Sequence, residues 1–249
     1  MSTANNKTAA VIRWIGTIGV MMAAAGGCAH ADRAPDAALA EKIISEPKGG
    51  QHALQLLKEG NARFLAGEAN GPSTDPETIR IAAVDGQKPF VSVLTCADSR
   101  VPVERVFDRG FGEIFVVRVA GNVTAQHETG SIEFSLAALK APLLVVMGHN
   151  KCGAIKAAIA GQPVTPNIDS FLASIQPAVQ RVRAAQPNLS PEQFEEAVTQ
   201  ENVRQTLREL YATSPLIREK VQSGAVEVAI AEIDITTGKV AWLDNVPKP

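Results

Sequence analysis

The chain has 249 residues, 45% hydrophobic and 20% charged, the composition of a globular protein with a real core. A formal net charge of −2 and an aromatic content of 4% exclude the basic, base-stacking surface that a nucleic-acid partner requires.

Lys7 and Arg13 precede an uncharged run from Trp14 to Gly27, and no acid appears before Asp32. A basic start, a short apolar stretch and small residues after it describe an export signal over residues 1–31. The run is shorter than the about 20 apolar residues that a membrane-spanning helix needs. Two processing routes stay open, and an uncleaved anchor is a blander third. Ala29-His30-Ala31 fits a cleavage site that releases a chain beginning at Asp32. Ala25-Gly26-Gly27-Cys28 resembles a lipoprotein box, imperfect at Ala25, with Cys28 as the lipidated end. The expected location is periplasmic or lipid-anchored at the cell envelope, with a membrane touched only through such an anchor. Without Lys7 and Arg13, 22 bases face 26 acids, so the mature chain is mildly acidic.

Residues 32–50, rich in Ala, Pro and Gly, read as a tether, and residues 51–249 as the folded domain. His52 to Ala66 has apolar residues at near-helical spacing, interrupted by Gly60. Gly67 to Pro76 is loop, and Thr78 to Asp85 a short helix. Pro89 to Thr95, Glu113 to Val119 and Leu143 to Met147 are short apolar strands, with a helix at Gly130 to Leu139 between the last two. Ile168 to Val221 is helical, broken near Pro187 to Pro191. Ala225 to Ile235 is a fourth strand; the Thr237-Gly238 turn leads to a last one, Lys239 to Leu243. Near-continuous apolar strands alternating with helices predict an α/β fold. Its central sheet is mostly parallel with an antiparallel edge strand, helices cover both faces, and a helical arm precedes it.

Two segments carry chemistry, and each follows a predicted parallel strand. Cys96-Ala97-Asp98-Ser99-Arg100 follows the first strand and Gly148-His149-Asn150-Lys151-Cys152-Gly153 the third. Sites in open α/β sheets lie beyond the carboxyl ends of strands, so the fold brings these loops together. Two thiolates and one imidazole suit tetrahedral zinc, and three protein ligands leave a fourth position for water. Asp98 is close enough to Cys96 to occupy or release that position, or to accept a hydrogen bond from the water. Arg100, alternating onto the same side, can hold Asp98 as a bidentate, deprotonated partner. A Cys96–Cys152 disulfide is the competing reading in an exported chain, but it leaves His149, Asp98 and Arg100 without a role.

Together these two segments resemble the paired signatures of β-class carbonic anhydrases. The similarity continues through Glu59 to Phe64, Phe115 to Asn122, Gly130 to Phe134 and the Asp234 to Gly238 turn, from about His52 to the C-terminus. The resemblance implies a lyase that interconverts carbon dioxide and bicarbonate with one Zn2+ per chain. Cys96, His149 and Cys152 would be the permanent ligands, with Asp98 and Arg100 as a catalytic dyad that gates the metal. Gln87, nine residues before Cys96, would orient substrate, and Phe115 and Ala120 would line an apolar pocket. Phe134 stands fifteen residues before His149, where the family often has tyrosine, so any hydrogen bond through that hydroxyl is lost. Zinc lowers the pKa of bound water from ~15.7 to about 7, and the resulting hydroxide attacks carbon dioxide. The family's habit also implies a homodimer or homotetramer whose pockets are completed across an interface.

Other candidates read as ordinary. His127 and His52 suit surface positions, and Arg181, Arg183, Arg204 and Arg208 suit solvated helix faces. Gly110-Phe111-Gly112 precedes a strand rather than following one, so it is no nucleotide loop. The alternative to an enzyme is an exported zinc-buffering or disulfide-stabilised domain, for which a carboxylate able to leave the metal has no use.

Overall fold

The computed structural model describes residues 49–71 and 74–249; the signal, the lipoprotein box and all but the end of the tether lie outside the described residues. Strands β1 (Val91–Cys96), β2 (Ile114–Val119), β3 (Leu143–His149) and β4 (Glu227–Ile233) run parallel, and β5 (Val240–Trp242) returns antiparallel to β4. The strand order is β2-β1-β3-β4-β5. This is the predicted mostly parallel sheet with its antiparallel edge.

Four of the helices start where a short polar side chain precedes proline. Asp75, Thr165, Ser190 and Ser214 cap α2 (Pro76–Asp85), α6 (Pro166–Ala185), α7 (Pro191–Thr213) and α8 (Pro215–Gln222). Each cap side chain accepts a backbone N–H of the first turn, and the proline at the first position forfeits no hydrogen bond. The sequence reading expected one break between Ile168 and Val221. A second falls at Ser214, whose hydroxyl accepts from the Ile217 N–H 3.1 Å away and restarts the helix. Four further α-helices lie among the described residues: α1 (Gly50–Ala66) at the N-terminal side, α3 (Val103–Val106), α4 (Gln126–Ala137) and α5 (Gly153–Ala160). His127 sits in the first turn of α4 and is exposed there, the surface position expected for it.

Side chains alternate across the sheet with period two. Leu143, Val145 and Met147 of β3 face Ala53 and Leu57 of α1 together with Phe107, whereas Leu144 and Val146 face Ile132 of α4 and Val203, Leu207 and Leu210 of α7. A third cluster caps the carboxyl ends of β1 and β3: Ile155 of α5, Leu172, Ile175 and Val179 of α6, and Val198 of α7 pack around Cys96 and Cys152.

The Glu59 to Phe64 motif is architectural. Gly60 does not interrupt α1, because the helix lies against the Phe107 carbonyl so tightly that a Cβ would come within 1.8 Å of its oxygen. Buried Asn61 donates to the carbonyls of Val106 (3.1 Å) and Gly238 (2.9 Å) and accepts from the Val240 N–H (3.0 Å). Arg63 pairs with the buried carboxylate of Asp108 at 2.6 Å. One turn of α1 thereby fastens α3 and the closing hairpin to the sheet.

Candidate metal centre

Because β1 and β3 are parallel neighbours, Cys96 at the end of one and His149 at the end of the other fall side by side. The chain then turns through Asn150 and Lys151, the latter in the left-handed region at φ 54°, and returns Cys152 as the residue preceding α5. The Asn150 side chain fixes this turn, donating to Asp234 Oδ1 (2.9 Å) and accepting from the Ile235 N–H (3.0 Å).

One ligand atom from each of Cys96, His149 and Cys152 lies within 4.8 Å of the other two, and all three residues are buried. Both thiols are free, so the competing disulfide is not formed. His149 Nδ1–H donates to the Asn150 carbonyl at 2.8 Å, which leaves the lone pair on Nε2. That buried Nε2 has no hydrogen-bond partner among the described residues. Two sulfurs and an orphaned imidazole nitrogen at this spacing fit a tetrahedral zinc ion. As a bare pair the sulfurs are unequal. A hydrogen bond from the Cys152 thiol, with help from His149 and the Gly121 amide, holds Cys96 well below the usual thiol range. The same bond, together with burial, pushes Cys152 up.

Asp98 stands at the rim of this cluster, its Oδ2 3.8 Å from His149 Nε2. Arg100 holds the carboxylate through three bonds: the backbone N–H and Nε donate to Oδ1, each at 2.9 Å, and Nη2 donates to Oδ2 at 2.7 Å. This pairing keeps the Asp98 carboxyl far below the ordinary carboxylate range despite partial burial. Arg118, which the sequence reading did not single out, braces the loop: Nε donates to the Cys96 carbonyl (3.1 Å) and Nη2 to the Asp98 carbonyl (2.6 Å).

The family profile for carbonic anhydrase matches residues 91–240, a span that includes both ligand-bearing segments. Carbonic anhydrase 2 of Mycobacterium tuberculosis is 36% identical over 199 residues, which cover 78% of this chain and 93% of that enzyme. The chain belongs to the β-class carbonic anhydrases. Carbonic anhydrase of Mycolicibacterium smegmatis is 35% identical over 76% of this chain and 90% of its own length. Among solved structures, the β-carbonic anhydrase CafA of Aspergillus fumigatus has a TM-score of 0.64 and 27% identity, covering 80% of this chain and 92% of that one. Coccomyxa β-carbonic anhydrase, solved with acetazolamide, has a TM-score of 0.61 and 26% identity over 76% of this chain and 86% of its own.

The residues expected to touch substrate in this carbonic anhydrase do not all gather at the cluster. Ala120 does: it follows β2 and precedes Gly121, whose N–H donates to Cys96 Sγ at 3.3 Å. Phe115 and Phe134 pair at 6.2 Å between ring centroids, tilted by 46°, along an open cleft of about 1020 Å³ bounded also by His127, Thr129 and Glu209. Gln87 lies elsewhere. It runs beside Gly112, four residues before β1, at the amino end of the sheet, whereas the cluster is at the carboxyl end. Six strand residues at ~3.3 Å each separate those ends. Within one chain, Gln87 does not join the site.

Proposed function

We propose that this carbonic anhydrase holds one zinc ion on Cys96 Sγ, His149 Nε2 and Cys152 Sγ, hydrates carbon dioxide reversibly to bicarbonate and a proton, and gates its metal with Asp98 and Arg100. One observation carries the reading. Three buried ligand atoms converge within 4.8 Å, and the carboxylate nearest them is held back by an arginine.

Zinc supplies Lewis acidity at this site, bringing the pKa of water to about 7. Asp98 Oδ2 is the acceptor placed to take a hydrogen bond from the attacking water and fix its orientation. Arg100 keeps that carboxylate ionised and turned outward. Released from Arg100, the carboxylate has the cluster within reach and closes it. Arg118 holds the backbone of both Cys96 and Asp98, so gate and ligand share one brace. Ala120 offers an apolar wall to a substrate that carries no hydrogen-bond donor; the Phe115–Phe134 pair, like Gln87, lies toward the amino end of the sheet and reaches a site only from a second copy.

Gln87 at the opposite end of the sheet supports a homo-oligomer, since its side chain reaches a site only from a second copy. Export rests on Lys7, Arg13 and the uncharged run after them. Among the described residues, no helix is long and apolar enough to cross a membrane. The mass of the N-terminal peptide from the native host separates a start at Asp32 from lipid on Cys28.

The deciding experiment is stopped-flow hydration of carbon dioxide by the chain from Asp32, with zinc assayed on the same sample. About one zinc per chain and turnover that disappears in Asp98→Ala supports the reading. Stoichiometric zinc without turnover means a closed binding site, and zinc-free protein without free thiols means the disulfide.

A further inference from the structure

We propose that Asn202 is a positioning residue for the metal centre, holding the Gly121 amide on the Cys96 sulfur from helix α7. The inference rests on the reading of Cys96 as a zinc ligand. Asn202 is wholly buried, and its Nδ2 donates to the Gly121 carbonyl at 2.8 Å. The Gly121 N–H in turn donates to Cys96 Sγ at 3.3 Å.

Gly121 needs an external clamp. Its φ of 72° is left-handed, and a Cβ there would come within 2.8 Å of Ile175 Cδ1 and 3.1 Å of Ala154 Cβ, so only glycine fits. Glycine alone, however, leaves both flanking peptide planes free to rotate. Asn202 fixes the plane on one side of the Gly121 Cα, and the plane on the other side carries the N–H aimed at sulfur.

The price is visible in the same side chain. Asn202 Oδ1 is buried without a partner among the described residues, which costs stability relative to an apolar side chain. A residue serving the core alone would be apolar here. Thr206, one turn further along α7, supplies an internal control. It makes the same kind of bond to the next carbonyl, Asn122 O, at 3.1 Å, but has no hydrogen-bonded route to the sulfur.

The test loads the full chain with cobalt(II) in wild type, Asn202→Leu and Thr206→Val, and reads the thiolate-to-metal charge-transfer band and zinc affinity by chelator competition. A hydrogen bond lowers the energy of a sulfur lone pair, so its loss moves the band to longer wavelength. Asn202→Leu should show that shift together with an about 10–100-fold weaker zinc affinity, while Thr206→Val keeps the wild-type band. An unchanged band and affinity in Asn202→Leu, or the same shift in both variants, overturns the positioning role. A wild-type chain with no thiolate band overturns the zinc reading and this one with it. Should Asn202→Leu fail to fold, the smaller change Asn202→Ser is loaded with cadmium-113 beside wild type. Wild type should show scalar coupling from the Gly121 amide proton to the metal through the sulfur and Asn202→Ser should lose or weaken it; coupling of equal size in both overturns the positioning role.

Discussion

Replacing Arg100 by alanine tests the gate. The guanidinium supplies two of the three hydrogen bonds on Asp98, and the third comes from the backbone and survives the change. Charge-assisted hydrogen bonds contribute about 1.5–3 kcal/mol each when well buried. The Arg100 side chain is 54% exposed, so solvent screening brings the pair down to about 1–2 kcal/mol in total. That free energy shifts the balance of Asp98 positions toward the cluster by about 5–30-fold, and kcat/KM for hydration should fall by up to that factor, as the open fraction falls, with zinc content unchanged. Arg100→Lys should fall in between, because lysine offers a point charge without the fork. Without its guanidinium partner, the Asp98 carboxyl rises toward its ordinary value near ~3.9, so it stays ionised; hydroxide would hold the fourth position more firmly than water, so the loss should be larger at pH 7 than at pH 9. Stopped-flow rates across that range, with zinc measured alongside, check both points. An unchanged kcat/KM, or a loss that tracks missing zinc, would refute the reasoning.

Three further outcomes are expected. Asn61→Ala strips partners from a buried carbonyl and a buried N–H, at about 1–3 kcal/mol each, and from one part-buried carbonyl; denaturant titration should show a loss of about 2 kcal/mol or more, and a loss below about 1 kcal/mol would contradict the stitching role. The Thr236 N–H and the Asn150 side chain hold Asp234 down to about 2 when folded. Its share of stability is therefore complete above its unfolded pKa near ~3.9 and drains away as pH falls toward about 2, a step that denaturation of Asp234→Asn should lack. Chelation should open Cys96 and Cys152 to alkylation that zinc otherwise blocks; equal labelling rates with and without metal would place the ion elsewhere.

Cys96 and His149 were legible because each ends a near-continuous apolar run that reads as a parallel strand, and parallel neighbours align their carboxyl ends; Cys152 was legible because it follows His149 by only three residues. Asp98 and Arg100 were legible for a local reason, since an Asx-type turn needs only two residues of spacing. Arg118, Gly121 and Asn202 were not. Arg118 looks like any outward residue of a strand, and Asn202 like a polar residue within a helix of mixed composition. Only the crossing of α7 over the turn after β2 gives Asn202 its partner. Gln87 was placed by motif spacing, which says nothing about which end of a sheet, or which copy, a side chain serves. Gly60 looked like a helix breaker because close backbone approach leaves no trace in periodicity.

The stitch made by Asn61 has a consequence in time. Its partners at Gly238 and Val240 lie 177 and 179 residues further along the chain. β4, which pairs along the whole of β3, is likewise made well after the strand it joins. A chain still emerging from the ribosome holds α1, β1, β2 and β3 but lacks the strand and hairpin that close one face. It has loop-closure entropy still to lose before its core is complete. Such a nascent chain stays open until β4 and the closing hairpin have been made.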